Sequence, residues 1–194
     1  MIHRSSVLAA AIAGASFVAL SVAAAAPAVA ATNRQEHMAG NLSAAGTGSS
    51  PVSYDPALAP LGAHVSVAVV GGDGHTQVTL DVARLMPGRS YVAHAHVNPC
   101  GATAADAGGH FQNTVDPAAG PDQPSTDPAY ANAENEVWLD LQTDGSGAGH
   151  AEADVPFTFG TRAPRSVVIH ADGTTASDAG HAGTAGARVA CISL

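Results

Sequence analysis

From Leu61 onward the chain repeats with a period of two, and clusters of glycine and proline interrupt the repeat. His64-Val65-Ser66-Val67-Ala68-Val69-Val70 alternates, then Gly71-Gly72-Asp73-Gly74 turns. Gln77 to Val82 alternates again, Leu85-Met86-Pro87-Gly88 turns, and Tyr91 to Val97 gives a third run. β-branched alternation bounded by such turns is the pattern of β-hairpins. Further strands are predicted at 136–142, 150–155, 165–171 and 187–192. No stretch after the first thirty residues has helical periodicity. Seven or eight short antiparallel strands predict an all-β sandwich or flattened barrel. Between Phe111 and Asn135 a proline-rich loop interrupts the strands; loops of that length in compact domains are usually functional or disordered.

The segments before Leu61 read differently. Residues 1–30 have the form of a secretory signal: Arg4, an apolar run from Val7 to Ala26, and the small-x-small cleavage pattern Ala28-Val29-Ala30. Cleavage after Ala30 would deliver the chain to an oxidising compartment, secreted or in the cell envelope. The competing reading is a retained membrane anchor, but the run is Ala-rich and no positive cluster follows it. Residues 31–60 hold few large apolar groups and are expected to be a flexible tether. The alternative is an edge strand at 51–54. The folded domain is therefore expected over 61–194.

The chain has seven arginines, no lysine and sixteen acidic residues, for a net charge of −9. Such a chain repels the phosphate backbone, so nucleic acid is not an expected partner. Its ten histidines outnumber the permanent cations, which directs attention to metal or proton chemistry. His94-Ala95-His96 lies within an expected strand, and residues two apart project from one face. Two convergent imidazoles suit copper or zinc. Gly108-Gly109-His110 can bring a third ring close to a crowded site, because glycine permits unusual backbone angles. His170 ends the apolar run Ser166-Val167-Val168-Ile169. Cys100 follows His96 by four residues, and Cys191 follows Arg188 by three. Each motif alone has a plain structural explanation.

Together the stretches YVAHAHVNPC (91–100), AGGHFQN (107–113), RSVVIHADGTTASD (165–178) and AGARVAC (185–191) resemble the copper–zinc superoxide dismutase family, in particular its exported bacterial branch. The resemblance covers about 61–194 and implies a Greek-key β-sandwich. It implies that His94, His96, His110 and His170 are copper ligands. It implies that His110 also handles a proton and that Arg188 guides the superoxide anion, which makes these two the catalytic candidates. It further implies that Cys100 and Cys191 form a disulfide, closing a loop of roughly 90 residues and contributing on the order of 4 kcal/mol.

The sequence departs from that pattern at the zinc site. Residues 111–135 contain no histidine and offer only Asp116, Asp122, Asp127 and Glu134. Zinc seldom accepts a site of carboxylates alone. The aspartate that joins the two metal sites in the exported branch is replaced by Thr174. The expectation is therefore a copper-only dismutase with one copper per chain and no zinc. Without zinc, another group must orient His110, and a carboxylate or backbone carbonyl would serve. Tyr91 stands where the family has a small residue. His37, His64, His75 and His150 are expected to be solvated, and His181 sits in a short loop facing the site. The alternatives are a copper-buffering module of the cell envelope, which would not need Arg188, and a domain that has lost its metal.

Overall fold

A computed structural model describes residues 34–120 and 123–194; the expected signal segment, 1–30, lies outside them. Among the described residues are ten strands, in chain order β1 (Arg34–Asn41), β2 (Ser43–Ala44), β3 (Val52–Ser53), β4 (His64–Gly72), β5 (His75–Ala83), β6 (Ser90–His96), β7 (Trp138–Gln142), β8 (Gly149–Val155), β9 (Ser166–His170) and β10 (Arg188–Ser193). One 3₁₀ turn covers Ala104–Ala107. The strands form two sheets, β1-β4-β5-β8 and β2-β3-β10-β9-β6-β7. Pairing is antiparallel except between β2 and β3. β9 lies beside β6 rather than beside its predecessor, the out-of-order return of a Greek key. The seven strands predicted from alternation are all present, with ends moved by a few residues.

The alternation explains the sandwich. In β4 the residues Val65, Val67 and Val69 are buried, and in β5 Val78, Leu80 and Val82 are buried, while their neighbours face outward. These side chains meet Tyr91, Ala93, Leu139, Val167, Ile169 and Ile192 from the other sheet. Tyr91, unusual in sequence, is a core residue here. Its ring is fully buried and its hydroxyl donates to the Leu58 carbonyl at 2.6 Å.

The tether expected over 31–60 is incorrect from Arg34 onward. β1 pairs along its whole length with β4, and β3 pairs with β10. No side chain of β1 is buried, so the strand has no apolar period to read. It is an edge strand held by main-chain hydrogen bonds, with Arg34 placed over the Phe159 ring. After it, Leu42, Val52 and Ala59 are buried in apolar clusters of the domain. The competing expectation, an edge strand at 51–54, is met as a strand by β3, which however lies between β2 and β10 rather than at the edge.

β6 is buried at both faces from Tyr91 to His96. Tyr91, Ala93 and Ala95 point into the core. The alternate residues Val92, His94 and His96 point to the outer side of the six-stranded sheet, under the long connections that precede β7 and follow β9. Cys100 and Cys191 are disulfide-bonded, with Cα atoms 5.8 Å apart. The bond fastens the chain after β6 onto β10, beside buried Val52, Ala107 and Val168.

Candidate metal centre

Register brings the histidines together. Opposite His170 on β9 stand Val92 on β6 and Arg188 on β10. His94 and His96 follow on the same face of β6. His110 reaches this face because its segment runs briefly along β6: Phe111 N–H donates to the Ala95 carbonyl at 2.8 Å, and Val97 N–H to the Gly109 carbonyl at 3.1 Å. Of the paired glycines, Gly108 is the necessary one. Its φ is 72°, and a Cβ there would lie 2.8 Å from a Val97 methyl. A Cβ on Gly109 would meet open space, so that glycine is not needed for the approach.

The ligating atoms of His94, His96, His110 and His170 all lie within 4.8 Å of one another. Each ring has one nitrogen engaged by the protein. His96 Nδ1 is 3.0 Å from the Gly108 carbonyl and His170 Nδ1 is 3.3 Å from the Gly186 carbonyl. His110 Nδ1 is 2.8 Å from Glu136 Oε2, and His94 Nε2 is 2.9 Å from Thr175 Oγ1. The remaining nitrogens are His94 Nδ1 and the Nε2 atoms of the other three. His96 Nε2 and His170 Nε2 stand 3.4 Å apart. His94 Nδ1 is buried and has no hydrogen-bond partner. A buried polar atom without a partner is costly unless something occupies the space before it. Four imidazoles with their lone pairs converging are a good donor set for a borderline cation such as copper or zinc.

Burial also keeps three of these rings, His94, His96 and His170, neutral. It pushes His94 and His96 well below the ordinary imidazole range, with neighbouring His110 adding to the effect. It lowers His170 to about 3. A neutral ring has a lone pair to offer a metal at neutral pH.

Glu136 is the residue that sequence reasoning missed. It is 2% exposed, and three donors surround its carboxylate: His110, the Trp138 indole N–H at 2.8 Å and the Gln112 amide at 2.8 Å. It lies just before β7, where it read as the start of a strand. Nothing local set it apart from Glu134, two residues earlier. Thr174, the expected replacement for the joining aspartate, is exposed; its neighbour Thr175 makes the contact to His94.

Arg188 flanks the histidines. Its guanidinium donates to the Ala104 carbonyl at 2.8 Å and to the Gly108 carbonyl at 2.7 Å. Gly108 O therefore serves both Arg188 and His96. Arg188, His110 and His170 line a cleft of about 780 Å³, whose other walls include Val97, Val115 and Pro124. His181 is exposed and bonded to Asp178. His75 and His150 are exposed as well, paired with Asp154 and Asp81, while His37 and His64 bond to Ser66 and Asn41. None of these belongs to the histidine cluster. In the loop after Phe111, Asp116 is buried and spent on Ser125 and the Ala118 N–H.

Fold and site together define a β-sandwich with a four-histidine centre able to hold a metal ion. No protein-family model matches the chain, and no curated protein matches it. Solved structures do. The Cu/Zn superoxide dismutase from Brucella abortus is 23% identical, with 66% of this chain and 86% of that chain covered and a TM-score of 0.47. A point mutant of a SOD-like protein from Bacillus subtilis is 17% identical over 67% of this chain and 88% of that one, with a TM-score of 0.50. A double mutant of that SOD-like protein has the same identity and coverage and a TM-score of 0.49. The likeness to the point-mutant structure is one of fold.

Proposed function

We propose that the protein is an exported copper-dependent superoxide dismutase without a zinc site, acting on superoxide as a freely diffusing substrate. The observation that carries this reading is the convergence of four imidazoles on one point beside Arg188, within a sandwich of superoxide dismutase-like fold. His94, His96, His110 and His170 would hold copper. When bound, copper supplies the one-electron exchange that converts two superoxide ions and two protons into dioxygen and hydrogen peroxide.

The chain's own residues do the rest. Arg188 presents a fixed positive charge at the wall of the cleft, where a small anion enters an otherwise acidic molecule. Its two carbonyl contacts hold the guanidinium in place. His110 Nε2, the nitrogen not bonded to Glu136, is the atom at which a proton is held and passed on. Glu136 holds Nδ1–H of the same ring and thereby sets which nitrogen faces the cleft. This supplies the orienting group that zinc provides elsewhere in the family the sequence resembles. Internal use of Asp116 also favours the copper-only reading, because it removes a carboxylate from the zinc candidates. The disulfide fits an oxidising destination. A copper-buffering module without dismutase activity is the second reading; Arg188 at the cleft wall disfavours it.

The test is metal analysis of copper-loaded protein together with a superoxide assay. We expect one copper per chain, no stoichiometric zinc, and activity independent of added zinc. The single tryptophan, Trp138, has its ring 5.9 Å from that of His94, so copper titration should quench its emission with an endpoint at one equivalent. Copper bound without dismutation would establish the buffering module. A stoichiometric zinc bound through His110 beside copper would defeat the copper-only reading.

A further inference from the structure

His94 differs from the other three histidines in which nitrogen it leaves free. His96, His110 and His170 are engaged at Nδ1, whereas His94 is engaged at Nε2. Its contact, Thr175 Oγ1, in turn donates to Asp140 Oδ1 at 3.1 Å. A hydroxyl has one hydrogen, and a carboxylate can only accept. The Thr175 hydrogen is therefore committed to Asp140, and toward His94 the hydroxyl oxygen can only accept. That requires the hydrogen of the neutral His94 ring to be on Nε2, with the Nδ1 lone pair bare.

The loop geometry explains how Thr175 arrives there. Ala176 N–H donates to the Thr184 carbonyl and Gly183 N–H to the Ala176 carbonyl, both at 2.9 Å, and Asp172 N–H donates to the Ala185 carbonyl at 3.0 Å. The loop is thus tied to its own return segment. Asp140 stands on the exposed face of β7, and that strand pairs with β6 so that Trp138 is opposite His94. A surface carboxylate on one strand consequently reaches a fully buried ring on the next through one hydroxyl.

We propose that Asp140 and Thr175 are positioning residues that lock His94 in its Nε2–H form and so hold Nδ1 ready for the metal. The independent sign is that Nδ1 is buried with no protein partner, as a reserved ligand atom would be. The proposal rests on the metal-binding reading of the four histidines but not on dismutase activity. It gives His94 a supporting partner in a chain that has Thr174 where the joining aspartate is expected.

The experiment uses the full domain with its disulfide intact. Long-range proton–nitrogen NMR of the metal-free wild type should show His94 as the Nε2–H tautomer. Copper(II) affinity by chelator competition should fall about 10- to 100-fold in Thr175→Val, the range for losing a group that orients a metal ligand. Thr175→Ser should restore it. Asp140→Ala should cause a smaller loss, less than about tenfold, and a detectable population of the Nδ1–H tautomer, because the freed hydroxyl can then donate to Nε2. A merely structural exposed aspartate would leave the tautomer unchanged. The Nδ1–H form in the wild type would overturn the proposal, whether or not the variants fold. So would an Asp140→Ala protein with unaltered tautomer and affinity. Thr175-dependent copper binding without dismutation would uphold the proposal and defeat only the dismutase reading.

Discussion

His110 Nδ1 and Glu136 Oε2 are 2.8 Å apart, and both side chains are largely shielded from water. Trp138 donates to the same carboxylate oxygen and Gln112 to the other, so the charge is satisfied on every side by hydrogen bonds. A buried carboxylate of this kind is stabilising only while its donors remain. It acts as a rigid stop for the ring that the proposed mechanism requires to turn Nε2 toward the cleft.

Glu136→Gln removes the charge with little change in shape. One amide end then faces donors with a donor of its own. We expect a loss of about 1–3 kcal/mol in stability from the mismatched buried group. We also expect copper affinity to fall about 10- to 100-fold as His110 loses its orientation. Denaturant unfolding and chelator competition measure the two effects separately.

In the proposed mechanism Arg188 guides the anion, besides anchoring the Ala104 and Gly108 carbonyls. Arg188→Leu should leave copper bound, because all four imidazoles remain. It should slow dismutation by about 10- to 100-fold through loss of local attraction for the anion. Inhibition by small anions should weaken in parallel. Arg188→Lys should recover part of the rate, since the charge returns but a compact ammonium cannot reproduce the fork on Ala104 and Gly108. Full activity in Arg188→Leu would remove the arginine from the mechanism.

The Cys100–Cys191 bond closes residues 91 apart in sequence. Replacing both cysteines with serine should lower unfolding stability by about 4–5 kcal/mol through the entropy restored to the unfolded chain. Because the bond also pins the segment leading to Gly108 and His110, copper affinity should fall in the same variant. A denaturation midpoint equal to that of the wild type would show that the bond contributes nothing to stability.

Acid should destabilise the metal-free protein. The folded chain keeps His94, His96 and His170 neutral because burial disfavours their charged forms, whereas the unfolded chain lets them protonate near 6.5. Fewer protons are then bound in the folded state. The stability this implies is fully present above pH 6.5 and is lost as the pH falls toward about 3, the value for His170. Each ring contributes a slope of about 1.4 kcal/mol per pH unit within that window. Unfolding of the metal-free protein at several pH values, compared with a His170→Gln variant whose slope should be smaller, measures the effect.

The sequence by itself determined the strands with an apolar period and the face on which His94 and His96 project. Both depend on the fixed two-residue repeat of an extended chain, a local property. β1 was invisible for the same reason: with no buried side chain it carries no such period, and its place depends on the main-chain edge that β4 offers. The four histidines and two cysteines were legible through a resemblance of short motifs, and the structure brings those histidines to one point and joins those cysteines. Their supporting partners were not legible. Glu136 is 26 residues from His110, Thr175 is 81 from His94, and Asp140 is 35 from Thr175. A glutamate, a threonine or an aspartate is common on any surface. What distinguishes these three is which ring nitrogen each one reaches, directly or through one hydroxyl. That is decided by sheet register and by two loops folding over the outer face of one sheet, relationships between distant segments that no local pattern records.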